Sequence, residues 1–250
     1  MDVNWWQLII LAGVGVVSGF LNILAGGGSL LTLPLLIFIG LPAVEANGTN
    51  RVAIVVQNIC ALRSYKNSGV LSWKIALMCA LPAIVGAVIG ASLAVTIDEK
   101  LFRQVLAVVM LLMLVVTTID PVKRFRHAIQ EGEWQLRWPM LLGFFIIGIY
   151  GGFIQAGVGF LILMVTMMAG MDLVKGNVLK VVVILIFNLP AVMIFAWHGQ
   201  VDWLLGSVLA SGNAVGAMVA ARLAVAKGHD WIRRVVTLVI VACAVRLLVL

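Results

Sequence analysis

Apolar residues run through this chain in long blocks separated by polar joints. Eight blocks stand out, at 7–38, 43–63, 72–97, 101–119, 139–169, 173–197, 203–226 and 230–250. Runs of roughly 20 apolar residues are the signal of transmembrane helices, so the pattern predicts an all-α polytopic membrane protein. The first block of each group of four is longer. At about 31 residues it would measure roughly 47 Å as a straight helix, too long for one simple crossing. Both long blocks are interrupted, at Ala25-Gly26-Gly27-Gly28-Ser29 and at Ala156-Gly157-Val158-Gly159-Phe160. Glycine propagates helix poorly and lets a backbone turn sharply or approach a ligand closely. Within a bilayer such backbone survives only where protein buries it or where it lines a wet cavity. Each long block is therefore expected to be a glycine-broken helix or a re-entrant hairpin, and the two breaks to be halves of one substrate site.

The longest polar stretch, 120–138, contains Lys123, Arg124, Arg126, His127, Glu131, Glu133 and Arg137. It reads as a basic linker between a first repeat, 1–119, and a second, 139–250, within one membrane domain spanning 1–250. The halves match at a constant shift of 130: Gly13 with Gly143, Gly27 with Gly157, Gly40 with Gly170, Asn47 with Asn177, Asn58 with Asn188, Trp73 with Trp203, Gly86 with Gly216 and Arg103 with Arg233. Shared apolar residues would mean little here, but matched Gly, Asn, Trp and Arg without a gap indicate an internal repeat. If the long blocks are hairpins, each repeat crosses an odd number of times and the repeats are inverted. Most basic residues then share one side, as the positive-inside rule requires, and both chain ends lie outside the cytoplasm. The expected location is a bacterial cytoplasmic membrane, crossed several times.

Composition narrows the function classes. The chain is 63% hydrophobic and 11% charged, which excludes a soluble globular domain. The net charge of +7 belongs to basic loops, so nucleic acid is not an expected partner. The first apolar block has no basic leader before it and is expected to be retained, not cleaved. Cys60, Cys79 and Cys243 are isolated in apolar runs and read as small core residues. The tryptophans fall at block ends, where an aromatic belt sits. No His, Cys or carboxylate set has metal-ligand spacing, and no nucleophile–base pair, dinucleotide fingerprint or phosphate loop is present. Neither a cofactor nor an enzymatic activity is expected.

The candidate chemistry lies just after each break. Asn47, Thr49 and Asn50 bring hydrogen-bonding side chains, and Arg51 brings a fixed cation into an apolar segment, where a charge is costly and marks function by default. The matching stretch in the second half holds Asn177 and Lys180. Two cations approaching one cavity from opposite repeats is one reading, and snorkelling to headgroups is the other. Asn58 and Asn188 would line a polar path or join helices, and Asn22 and Gln155 are weaker candidates of the same kind. With Gly26, Gly27, Gly28, Gly157 and Gly159, the residues Asn47, Thr49, Asn50, Arg51, Asn58, Asn177, Lys180 and Asn188 form the expected substrate site. No acidic residue falls mid-segment, so carboxylate relays and cation sites are poorly supported. Glycine-broken helices, amides and cations favour an anion.

Gly19-Phe20, the Ala25–Ser29 motif with Pro34, Gly40, Ala46-Asn47-Gly48-Thr49-Asn50, Tyr65 and Gly69 resemble the TauE/SafE family of sulfite and organosulfonate exporters. The resemblance covers essentially the whole chain. The second half departs from the motif: it lacks the triple glycine, and Met164 stands where Pro34 would match. The family implies transport of sulfite, sulfoacetate or a related sulfonate. The expected function is thus a secondary transporter exporting a small sulfur-containing anion by alternating access. An importer, a carrier of another anion such as a carboxylate, and a non-transport scaffold are the alternatives. The lipid bilayer and the anion are the expected partners, and a homodimer is compatible with so small a carrier.

Overall fold

A computed structural model describes residues 4–24, 26–65, 73–119, 138–171 and 173–224, the side chains of 114 and 116–119 excepted. All regular structure among them is helical: α1 (Trp5–Leu24), α2 (Ser29–Ile39), α3 (Ala43–Tyr65), α4 (Trp73–Thr96), α5 (Glu99–Ile119), α6 (Trp138–Phe153), α7 (Val158–Met168), α8 (Leu173–Trp197) and α9 (Trp203–Ala224). Four of these, α1, α4, α8 and α9, are long and apolar enough to cross a membrane. The expected eighth block and nearly all of the basic linker lie outside the described residues; Trp138, the linker's last residue, begins α6.

Both long blocks break at their glycines and double back. A Cβ built on Gly143 in α6 would lie 3.6 Å from the Val165 side chain in α7. Residues that far apart in a straight helix would be separated by about 33 Å. In the first half a Cβ on Gly28 would stand 2.7 Å from Ser18 Oγ, ten residues earlier on α1. Leu11 and Leu36 accordingly share one core cluster. Each block is therefore two helical arms around an irregular turn, of 20 and 11 residues in the first half and 16 and 11 in the second. α2 and α7 both end in Schellman turns, with Leu41 N–H donating to Leu36 O at 3.1 Å and Met171 N–H to Thr166 O at 3.0 Å.

Small residues let the arms of one half approach helices of the other. Gly148 and Gly152 on α6 face the backbone of Ala83 and Ala87 on α4, while Gly86 and Gly90 on α4 face the Phe145–Phe153 stretch. On the opposite side Gly212 and Gly216 of α9 pack on Ala12 and Val16 of α1. A Cβ on Gly152 would come 2.6 Å from Ala87 Cα. Packing of this kind replaces the hydrophobic drive that helices lack in lipid. The tryptophans Trp5, Trp73, Trp138, Trp197 and Trp203 are exposed at helix ends. Cys79 is buried and free, and Cys60 is half-buried and free.

α3 differs from its neighbours. It is the least apolar of the long helices and packs on α8, α2, α5 and α9. Along it Asn47, Thr49, Asn50, Arg51, Gln57 and Asn58 are all buried. Its start is held by Glu99, whose carboxylate accepts from Ala43 N–H at 2.6 Å and Val44 N–H at 3.2 Å. A carboxylate at a helix N-terminus satisfies orphan donors and complements the dipole.

Candidate functional site

The two breaks meet backbone to backbone. A Cβ on Gly159 would fall 2.6 Å from Gly26 Cα, and Gly26 itself has φ +81°. No other residue type fits that close approach together with that backbone conformation. At this contact four helix ends converge: the C-terminal ends of α1 and α6, and the N-terminal ends of α2 and α7.

The two buried cations serve the C-terminal ends, each in the opposite half of the chain. Arg51, fully buried on α3, donates through Nη2 to Gly152 O in the last turn of α6 at 2.6 Å. Its Nη1 donates to Gln155 Oε1 at 3.1 Å and to Asn188 Oδ1 at 3.0 Å, and its guanidinium lies 4.7 Å from the Phe195 ring centroid. Lys180, on α8 and 1% exposed, donates through Nζ to Asn22 O at 2.8 Å and Ile23 O at 2.7 Å in the last turn of α1. Cations there complement the negative end of the helix dipole. Neither side chain reaches outward, so both are held by protein and do not snorkel. Neither has a carboxylate partner among the described residues. The N-terminal ends of α2 and α7, by contrast, have no side-chain cap; their N-cap residues are Gly28 and Gly157. Among these four ends, the negative ones are compensated by side-chain cations and the positive ones have no side-chain cap.

A small cavity opens beside the glycine contact. Its lining is Asn22, Gly26, Ser29, Ile54, Gln57, Asn58, Gln155, Gly159, Lys180 and Ile184. Its volume is about 10 Å³, close to the roughly 10–15 Å³ that one water requires. Of the residues singled out from sequence, Gly26, Asn58, Gly159 and Lys180 line it, as do the weaker candidates Asn22 and Gln155. Arg51 does not; it is joined to the cavity through Gln155.

The remaining candidates build the frame. Asn47 Nδ2 donates to Phe153 O at 2.9 Å and its Oδ1 accepts from Gln155 N–H at 3.3 Å, which clamps the second break. Asn177, which matches it at the shift of 130, makes a different bond, Nδ2 to Tyr65 Oη at 3.1 Å, and its Oδ1 has no partner. Asn50 bridges Thr32 and Ser29 at the start of α2. Thr49 Oγ1 accepts from Asp202 N–H at 2.9 Å, ahead of α9. Asn188 Nδ2 donates to Arg51 O at 3.2 Å and thus holds the arginine from both ends. Gly28 N–H donates to Asn22 Oδ1 at 2.8 Å, a Cβ on Gly157 would meet the Met113 side chain, and one on Gly27 would stand in nearly open space.

Ser29, Gln57 and Asn213 matter more than the sequence alone suggested. Ser29 and Gln57 line the cavity, and Asn213 Nδ2 donates to Gln57 Oε1 at 3.1 Å from α9. Asn213 has no polar partner at the repeat shift, where Ala83 stands, so the pattern that exposed other positions is silent there. Its signal is a lone amide in an apolar segment, which normally seeks a partner across helices.

Residues 11–247 match the family described as sulfite exporter TauE/SafE. The chain is 28% identical to a "Probable membrane transporter protein ORF9" of Sinorhizobium over 249 residues, 99% of this chain and 94% of that one. It is 31% identical to a "Probable membrane transporter protein" of Xylella fastidiosa (strain 9a5c), over 96% of this chain and 94% of the relative. A third similar protein, a "Probable membrane transporter protein" of Haemophilus influenzae, is 26% identical over 95% of this chain and 93% of its own. No solved structure matches. With apolar helices long enough to span a bilayer, a match over nearly its whole length and relatives named as transporters, this chain is an integral membrane protein and belongs to the TauE/SafE sulfite exporter family.

Proposed function

We propose that this protein is a multi-pass secondary transporter of the cytoplasmic membrane that exports a small sulfur-containing anion, such as sulfite, sulfoacetate or a related organosulfonate, by alternating access between two inverted repeats. The observation that carries the reading is the charge at the meeting point of the breaks. Lys180 and Arg51 are buried there with neutral oxygens as their only hydrogen-bond acceptors among the described residues. A buried charge without a counter-charge is expensive, and an anionic substrate supplies the missing one. Two N-terminal helix ends at the same point favour the same sign. The family name supports sulfite or a relative of it as the cargo.

Lys180 would contact the anion, since its ammonium has three donors and spends two on α1. The glycine backbones of the breaks would lie against it. Movement of an anion outward across an inside-negative membrane is favoured by about 2.3 kcal/mol per charge per 100 mV, so export needs no second ion.

Flux through the purified full chain in proteoliposomes at a set potential tests this. Sulfite, sulfoacetate, taurine and an unrelated carboxylate are offered to the intact protein and to Lys180→Gln. Potential-dependent flux of a sulfur oxyanion, lost in the variant, is expected. Flux indifferent to potential would refute uncoupled export, and no anion flux from folded, inserted protein would refute the transporter reading.

A further inference from the structure

Hydrogen-bond polarity around the cavity is fixed by groups that can only donate. Gly28 N–H donates to Asn22 Oδ1 at 2.8 Å, so the Asn22 amide turns its Nδ2 to Gln57 at 3.2 Å. Gln57 must answer with Oε1, and Asn213 Nδ2 binds the same oxygen at 3.1 Å. The Gln57 N–H₂ is left over. Across the cavity Arg51, which has donors and no acceptor, takes Gln155 Oε1 at 3.1 Å and leaves the Gln155 N–H₂ over in the same way. Among the described residues neither Nε2 has an acceptor, and both residues line the cavity. Asn58, 1% exposed, lines it too, but its Nδ2 is sealed and partnerless and is not one of the donors offered to the cavity. Ser29 Oγ accepts from Asn50 Nδ2 at 3.2 Å and retains its O–H. Lys180 retains its third N–H.

We infer that this cavity, once the Gly26–Gly159 contact separates and widens it, is a site for an acceptor-only oxyanion headgroup of the sulfonate type, held by Lys180, Ser29, Gln57 and Gln155, and that Arg51 is a positioning residue that presents Gln155 to the substrate. The inference rests on the transporter reading above and adds to it a donor set and a rule of exclusion. The pinned amides turn N–H₂ groups, not oxygens, towards a ligand. A headgroup that brings its own N–H therefore meets donors with a donor. The donors also come from α2, α3, α8 and the second break. Donors from four elements can serve the three oxygens of a sulfonate, where a carboxylate offers two.

Competition against sulfoacetate flux in proteoliposomes of the full chain reads this directly, with methanesulfonate, methanesulfonamide and acetate as competitors. Methanesulfonate is expected to compete at least tenfold more strongly than the sulfonamide, because leaving buried donors unpaired costs about 1–3 kcal/mol each and 1.4 kcal/mol is tenfold. Acetate is expected to fall between them. Gln155→Glu keeps an oxygen for Arg51 but replaces the free N–H₂ by an acceptor, and should weaken methanesulfonate at least tenfold. In Arg51→Met nothing pins Gln155, so the sulfonate-to-sulfonamide ratio should collapse towards one, while Arg51→Lys, still a donor, should restore much of it. A purely structural arginine would lower flux and leave the ratio unchanged, which would overturn the positioning role. Equal competition by sulfonate and sulfonamide in the intact chain, with anion flux still present, would overturn the donor-set inference and spare the transporter reading. Equal competition by acetate would overturn the three-oxygen assignment. Absence of all anion flux would remove the transporter reading and this inference with it. Should Arg51→Met fail to fold, the three competitors on the intact chain still decide the inference.

Discussion

Gly26, Gly27 and Gly28 are indistinguishable as letters, and the structure gives them three different jobs. Alanine at each position is therefore a sharp test. At Gly26 φ is +81°, and a Cβ would lie 2.5 Å from Gly159 Cα and from Phe160 N. A left-handed backbone costs an L-residue roughly 1–2 kcal/mol, and forcing a methyl into a packed contact costs about 1–3 kcal/mol, so Gly26→Ala should lose on the order of 2–5 kcal/mol. At Gly28 a Cβ would run into the Ser18 carbonyl and stand 2.8 Å from Asn22 Cγ. Only the overpacking term applies there, about 1–3 kcal/mol. At Gly27 the nearest atom to a Cβ is Leu30 Cδ1 at 3.9 Å, an ordinary contact. Gly27→Ala should be neutral, or stabilising by up to about 1 kcal/mol through the unfolded chain. Unfolding midpoints in detergent, by heat or by titration with SDS, order the three variants. The expected order of loss is Gly26, then Gly28, then Gly27. A Gly27→Ala loss as large as that of Gly26→Ala, or three neutral variants, would refute the separate roles of the three glycines.

Other perturbations follow from the same geometry. Asn47→Ala removes a donor to Phe153 O and an acceptor for Gln155 N–H, for about 2 kcal/mol at roughly 1 per bond. Asn177→Ala removes one bond and a partnerless oxygen, and should cost less than about 1 kcal/mol; equal midpoint shifts would contradict the difference between the two breaks. Arg51→Leu leaves Gly152 O, Gln155 Oε1 and Asn188 Oδ1 short of a donor, a loss on the order of 3 kcal/mol or more. Arg51→Lys should lose less, since a single ammonium serves fewer of those oxygens than the arginine fork but leaves fewer bare than leucine does, and denaturation of both in detergent ranks them. Gly152→Ala places a Cβ 2.6 Å from Ala87 Cα and should destabilise the α4–α6 contact by about 1–3 kcal/mol. Gly13→Ala, with nothing within 4 Å of its Cβ, should not destabilise α1; a large loss there would mean that α1 packs otherwise.

Helices, glycine breaks and the polar character of α3 were legible in the sequence because each is written locally. A run of apolar residues is long or short, and three glycines end a helix wherever they occur. The sequence also located Lys180 and Asn58, by the repeat shift and by the cost of a polar group in an apolar block. It did not show which way Arg51 points. The guanidinium's partners are Gly152, Gln155 and Asn188, all more than 100 residues away, and nothing near residue 51 encodes them. The match at the shift of 130 also conceals differences. Asn47 and Asn177 occupy matched positions, yet only the first clamps a break. The orientation of Gln57 is set by a relay from Gly28 N–H through Asn22, so it depends on a tertiary contact between a turn and two helices.

These crossed attachments constrain how an anion could pass. Arg51 of the first half holds the end of α6 in the second, and Lys180 of the second half holds the end of α1 in the first. The Gly26 and Gly159 backbones touch between them. A cavity of about 10 Å³ holds one water, so a headgroup of four or more heavy atoms does not fit while that contact stands. Separation of the two hairpins is then a condition of binding, and the cations decide where it happens. Arg51 is held by three oxygens, by Asn188 from behind and by the Phe195 ring. Lys180 is held by two carbonyls and already faces the cavity. The ammonium is a compact point charge on a flexible stem, whereas the guanidinium is a planar fork locked in several directions. The contact at Lys180 is therefore the weaker of the two, and under the proposed transport the α1–α2 hairpin is the one an arriving anion would displace without breaking the arginine network.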